Sequence, residues 1–267
     1  MNFGIVHLGD SPAAQQLSVQ NAAASTALND VLRGTLAVNG PFTGGGSINS
    51  PGLSAGAAQN FAIGLNTSTA GLYNSNATFS GVSHNDDMSD LTLVQVNVAI
   101  SAQVNNYALA ELLKGSGAGT FSHPDSNTYS LDFGTLVQNS GTFSSSLFAE
   151  NGASGLADWL SGYFTPLDSL DFGETGFNPF SNLAAGNETG PLMLAFNTAN
   201  LGTFSDTYIL SSSGGNASGY NGALGDITLN ITGQVVEQGS TVPEPATMLL
   251  LGTGLIGLLG LRRKMKK

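Results

Sequence analysis

The chain has 267 residues, a formal net charge of −11 at neutral pH, 36 glycines and no cysteine. Lacking cysteine, it has no disulfides, thiolate catalysis or zinc–thiolate sites, and a chain this long buries enough apolar surface to fold without such staples. The acidic balance excludes electrostatic attraction to nucleic acid and to anionic lipid headgroups.

Met1, Asn2, Phe3 and Gly4 lead straight into a strand-like segment with no basic region and no apolar core of an export signal. An exported protein needs such a signal, so a longer reading frame upstream is expected. From here the chain runs through one unit and then through it again. Phe3, Gly4 and Ile5 match Phe133, Gly134 and Thr135. Leu17 and Asn21 match Leu147 and Asn151, and Leu53, Ala55 and Gly56 match Leu183, Ala185 and Gly186, all at an offset of 130. After one inserted residue, Asn66 and Thr67 match Asn197 and Thr198, Gly71 matches Gly202, and Tyr73 matches Phe204. Each unit closes with alternation: Val96, Val98 and Ile100 in the first, Ile227, Leu229 and Ile231 in the second. A period of two places one side of a strand in a core and the other in water. Phe61, Ile63 and Leu65 alternate likewise, as do Leu192, Leu194 and Phe196. Short strands separated by Gly, Asn and Ser turns predict an all-β protein built of antiparallel sandwiches.

The expected organisation is a β-sandwich at residues 1–107, a linker at 108–128, a second sandwich at 129–237 and a tail at 238–267. In the linker, residues 108–114 (ALAELLK) predict one or two helical turns, broken by the glycines at 115, 117 and 119, with an edge strand at its end. Residues 152–164, which contain the only tryptophan, Trp159, predict a short helix across one end of the second sandwich.

The tail opens with Pro243, Glu244 and Pro245, continues as an apolar run at 246–261 (ATMLLLGTGLIGLLGL), and ends in a basic cluster at 262–267 beginning Arg262, Arg263 and Lys264. All 18 acidic residues precede position 245, whereas five of the seven basic residues lie after it. As a helix, the apolar run would span about 24 Å, slightly less than the roughly 30 Å of a bilayer core. The basic cluster would hold its end on the cytoplasmic side. The two prolines keep Glu244 in extended backbone, where an enzyme can grip it.

Motif, spacing, charge order and position resemble the PEP-CTERM sorting signal of Gram-negative envelope proteins. That resemblance implies recognition by an exosortase, transit through the bacterial inner membrane, and delivery to the cell surface or extracellular matrix in association with exopolysaccharide, biofilm or floc. The repeated pattern (F-G, an L-x-V-x-N strand, L-x-A-G, a closing V-x-V-x-I strand) resembles immunoglobulin-like domains of the choice-of-anchor type. It implies two tandem immunoglobulin-like sandwiches followed by a single transmembrane helix.

No active site is legible. His7, His84 and His123 have no metalloprotease spacing, no phosphate-binding loop occurs, and the glycine run at 44–46 lacks the lysine such a loop needs. The best ligand candidate is the acidic loop with His84, Asp86, Asp87 and Asp90, whose clustered carboxylates suit calcium. A solvated turn between strands explains the same residues. Five N-x-S/T sequons, at Asn66, Asn76, Asn187, Asn216 and Asn230, read as products of an Asn/Ser/Thr-rich composition. The expected function is that of a non-enzymatic exported surface protein. The alternatives are a permanently membrane-anchored adhesin or scaffold, and a secreted hydrolase with His84 or His123 in a deep pocket.

Overall fold

A computed structural model describes residues 1–24, 29–167 and 171–239, and among these every regular element is a β-strand. In the first half lie β1 (Asn2–His7), β2 (Gln15–Gln20), β3 (Val31–Ala37), β4 (Phe42–Gly44), β5 (Gly46–Leu53), β6 (Ala58–Leu65), β7 (Gly71–Asn85), β8 (Met88–Thr92) and β9 (Val96–Asn105). The second half contains β10 (Ala110–Gly117), β11 (Thr120–Asp125), β12 (Thr128–Val137), β13 (Thr142–Asn151), β14 (Trp159–Pro166) and β15 (Gly173–Thr175). It continues with β16 (Phe180–Leu183), β17 (Leu192–Asn197), β18 (Gly202–Gly215), β19 (Asn221–Ala223) and β20 (Ile227–Val236).

The strands form four sheets, and no sheet mixes the halves. Strands β1-β9-β7-β3-β5, with β8 beside β7, face β2-β6-β4; strands β11-β12-β20-β18-β14-β16, with β19 beside β18, face β10-β13-β17-β15. Each facing pair encloses its own apolar core. Phe61, Ile63, Leu36 and Ile100 lie in the first, and Leu131, Leu147, Leu194, Phe196 and Ile231 in the second. The alternation seen in the sequence is what fills these cores, because inward residues of facing sheets meet across the gap.

The repeat survives in detail. β1 pairs with β9 in parallel, as β12 does with β20, and both ladders shift register at the F-G step. Gly4 and Gly134 adopt φ of 73° and 72° there. In each case the preceding polar side chain, Asn2 or Asp132, accepts the glycine N–H at 2.8 Å. The asparagine ending the L-x-x-x-N strand repeats its role as well: the Asn21 amide donates to the Leu53 carbonyl at 2.9 Å, and that of Asn151 to Leu183 at 3.0 Å.

Two expectations are corrected. Residues 110–117 form the strand β10, not helical turns. Ala and Leu favour helix intrinsically, but the β13 edge pairs with this segment and Ala110 and Leu112 enter the core, which outweighs propensity. The segment expected as a linker is therefore largely structured. Its end, β11, pairs with β12 as an edge strand. Trp159 likewise opens a strand, β14, not a helix. Leu160 turns inward while Trp159 and Tyr163 face out.

Candidate functional site

Pro243, Glu244, Pro245, the apolar run and Arg262, Arg263 and Lys264 lie outside the described residues. Among the described residues no helix is long and apolar enough to cross a membrane.

The acidic loop is a hairpin tip. β7 ends at Asn85 and β8 begins at Met88, which pair across the turn made by Asp86 and Asp87. The Asn85 side chain caps the tip by accepting the Asp87 N–H at 3.0 Å. His84 organises the rest: its Nδ1 meets Asp90 at 2.6 Å and its Nε2 meets Asp86 at 3.1 Å. The hydrogen bond to Asp90 raises the His84 pKa above its usual value, with Asp86 adding in the same direction against partial desolvation. The two carboxylates thus hold opposite nitrogens of one imidazole and do not converge on a common point. Among the described residues, no group of three or more His, Asp or Glu side chains is arranged to hold a metal ion. With both nitrogens of His84 engaged by acids, neither is directed at a serine hydroxyl, as a nucleophile–base pair requires. His123 stacks flat on Tyr129, with ring centroids 4.0 Å apart.

Behind this hairpin, Asp30 accepts from the Asn85 amide at 3.0 Å and from the Ser83 hydroxyl at 2.8 Å. Those bonds, Asn85 first, lower the Asp30 pKa. The repeat places the same constellation in the second half. Val31, next to Asp30, pairs with His84; Trp159, next to Asp158, pairs with Gly215, so Asp158 and Asn216 occupy the places of Asp30 and Asn85. There the site is filled by the first half of the chain. Asp158, fully buried, accepts from the Asn105 amide at 2.8 Å and the Asn216 amide at 2.8 Å, and contacts His7 Nε2 at 2.7 Å. The His7 ring stacks on Tyr107 at 4.2 Å and packs against Tyr220 at 4.4 Å. Backbone bonds from Asn106 to Leu156 (2.8 Å) and from Asp158 to Asn106 (3.0 Å) close the joint. The junction thus sits at residues 105–109, ahead of the glycines at 115–119, and a buried polar network fixes it. Sequence reasoning missed it, reading Asn216 only as a sequon. The available signal was the repeat itself, which aligns Asn85 with Asn216.

Residues 241–264 match the family described as the PEP-CTERM protein-sorting motif. No curated protein matches the chain. Among solved structures, it is similar to a mutant of the enterotoxigenic E. coli adhesin CfaE, at 9% identity and a TM-score of 0.41, covering 89% of this chain and 98% of that one. It is also similar to a protein of unknown function from Porphyromonas gingivalis W83, at 11% identity, a TM-score of 0.32, and coverage of 87% and 95%. A third likeness is human protocadherin-24 EC1-2, at 16% identity, a TM-score of 0.31, and coverage of 81% and 86%.

Proposed function

We propose that this chain, which carries a PEP-CTERM sorting motif, is a non-enzymatic surface protein: an exported, acidic, all-β body handed to an exosortase by its C-terminal tail. The observation that carries this reading is the match over residues 241–264, followed at once by the basic end. Pro243, Glu244 and Pro245 are the segment the enzyme reads, the apolar run at 246–261 presents it at the inner-membrane surface, and Arg262, Arg263 and Lys264 fix its orientation.

The body consists of two tandem immunoglobulin-like sandwiches of the choice-of-anchor kind. Strand order supports this, since β10-β13-β17-β15 against β14-β18-β20 reproduces the ABED and CFG sheets of that fold. The junction at Asp158 makes the pair a stiff spacer. Polar loops and long strands suit weak, repeated contacts with exopolysaccharide in a biofilm or floc matrix. In its native host, the protein with Glu244→Ala is expected to stay in the inner-membrane fraction while the unaltered protein reaches the surface. Equal surface delivery of both would overturn recognition through the motif and favour a permanently anchored adhesin or scaffold.

A further inference from the structure

The outer face of the sheet that holds β14 and β18 carries side chains its counterpart in the first half lacks. β14 pairs with β18, setting Tyr163 opposite Ser211 and Ser161 opposite Ser213. These four side chains lie on the face opposite to that of Leu160, Leu210 and Ser212, which are buried. A cleft of about 450 Å³ lies over them, bounded beside β16 by Pro179 and ahead of β20 by Asp226. Among the described residues its lining holds one acid, Asp226, and no base. Tyr163 is 54% exposed, and Trp159, two residues before Ser161 on the same face, is 40% exposed.

The repeat shows that these rings are not needed to build the strand. β3 pairs with β7 as β14 does with β18: Val31 faces His84 where Trp159 faces Gly215, and Thr35 faces Ser80 where Tyr163 faces Ser211. Inward positions keep their character, with Leu32, Gly34 and Leu36 answering Leu160, Gly162 and Phe164. Outward, Val31 and Thr35 stand where the second half has Trp159 and Tyr163. The core therefore fixes the inner face, whereas the two rings are an addition that leaves apolar surface in water. A single exposed aromatic is ordinary. Two on one face of one strand, beside a cleft floored by hydroxyls, form a pattern that suits a ligand.

A sugar ring presents the complementary surfaces. Its C–H face is apolar and stacks on the electron-rich face of an aromatic side chain, while its hydroxyl rim needs donors and acceptors. Tyr163 and Trp159 offer the stacking faces. Ser211 and Ser213 offer hydroxyls, and Asp226 a carboxylate that accepts from a sugar hydroxyl. Ser161 is already engaged, since its Oγ accepts the Asn182 N–H at 3.1 Å. Four residues of strand separate the two rings by about 13 Å, farther than one sugar ring reaches, so the ligand that fits is a chain of sugars. An acid without a base in the lining disfavours acidic sugars. We infer that the outer face of β14 and β18 binds a neutral polysaccharide, stacked on Tyr163 and Trp159 and hydrogen-bonded by Ser211, Ser213 and Asp226. The inference rests on the proposed surface role, which puts this face within reach of such a polymer.

The probes are four neutral hexasaccharides, cellohexaose, laminarihexaose, mannohexaose and maltohexaose, each titrated into the purified full chain. Trp159 is the sole tryptophan, so its emission reports from the proposed face. At least one probe is expected to give a saturable blue shift. Tyr163→Thr, which installs the kind of residue the first half has at Thr35, weakens that binding at least about tenfold, equivalent to 1.4 kcal/mol, and leaves the unfolding midpoint in denaturant unchanged. Thr35→Ala, on the matching face of the first half, leaves binding unchanged. No shift with any of the four, unaltered affinity in Tyr163→Thr, or equal binding of hexagalacturonate would overturn the inference. Export plays no part in these titrations, so the two readings fail separately: glycan binding can be absent while the tail still delivers the protein, and delivery can fail while binding persists.

Discussion

His84 shows how one residue turns an acidic cluster into a structural tip. Its ring is clamped between Asp90 and Asp86, and both contacts favour the imidazolium. A histidine whose folded pKa is raised adds stability that is fully present below its unfolded pKa, near 6.5, and is lost as pH rises through the folded value. In an NMR titration its ring protons should therefore show a midpoint above 6.5, and Asp90→Asn should lower that midpoint more than Asp86→Asn. A midpoint at or below 6.5 would contradict the clamp. Asp158 is the opposite case: it is fully buried, and His7 and two asparagine amides, drawn from both halves, satisfy it. Removing it would leave those groups without their acceptor, which is why the joint tolerates a carboxylate inside.

At the scale of elements, the duplicated F-G step is the sharpest test of the repeat. Gly4 and Gly134 sit in the left-handed region with open space around the position of a Cβ, so alanine there meets backbone strain alone. Gly134→Ala should cost about 1 kcal/mol, read by Trp159 fluorescence in denaturant because Trp159 lies in the second half. Gly4→Ala should lower the first half's stability by the same amount, read by circular dichroism. A cost confined to one site would mean that the two bulges are not equivalent. Period-two alternation made β6, β9, β17 and β20 legible, because their inward residues are apolar throughout. β10 and β14 were misread for a physical reason. ALAELLK satisfies helix propensity locally, and only the β13 edge, set by residues far along the chain, decides for strand. The junction was illegible because it is polar: His7, Asn105, Asp158 and Asn216 are scattered singly and meet only after folding. The offset of the repeat does connect Asn216 to Asn85, and so to the loop that drew attention as a ligand site, whereas Asp158 is matched to Asp30 only by strand pairing.

For the molecule as a whole, the two halves repeat one architecture and differ at their sheet edges. In the second, β10 pairs along β13 and Tyr208 is buried in the core. The first keeps an open apolar groove beside a polar socket. A β body with a C-terminal sorting address fits a component delivered to the cell surface. The charge distribution agrees: acids run through the body, while five of the seven bases gather behind the apolar run.

The most direct test of this account is mass spectrometry of the C-terminal peptide of the surface-exposed protein, isolated from its native host. The account predicts a terminus at or near residues 243–246, with the apolar run and basic end gone. A mature surface protein that still ends in Lys267 would contradict it and leave a permanently anchored ectodomain.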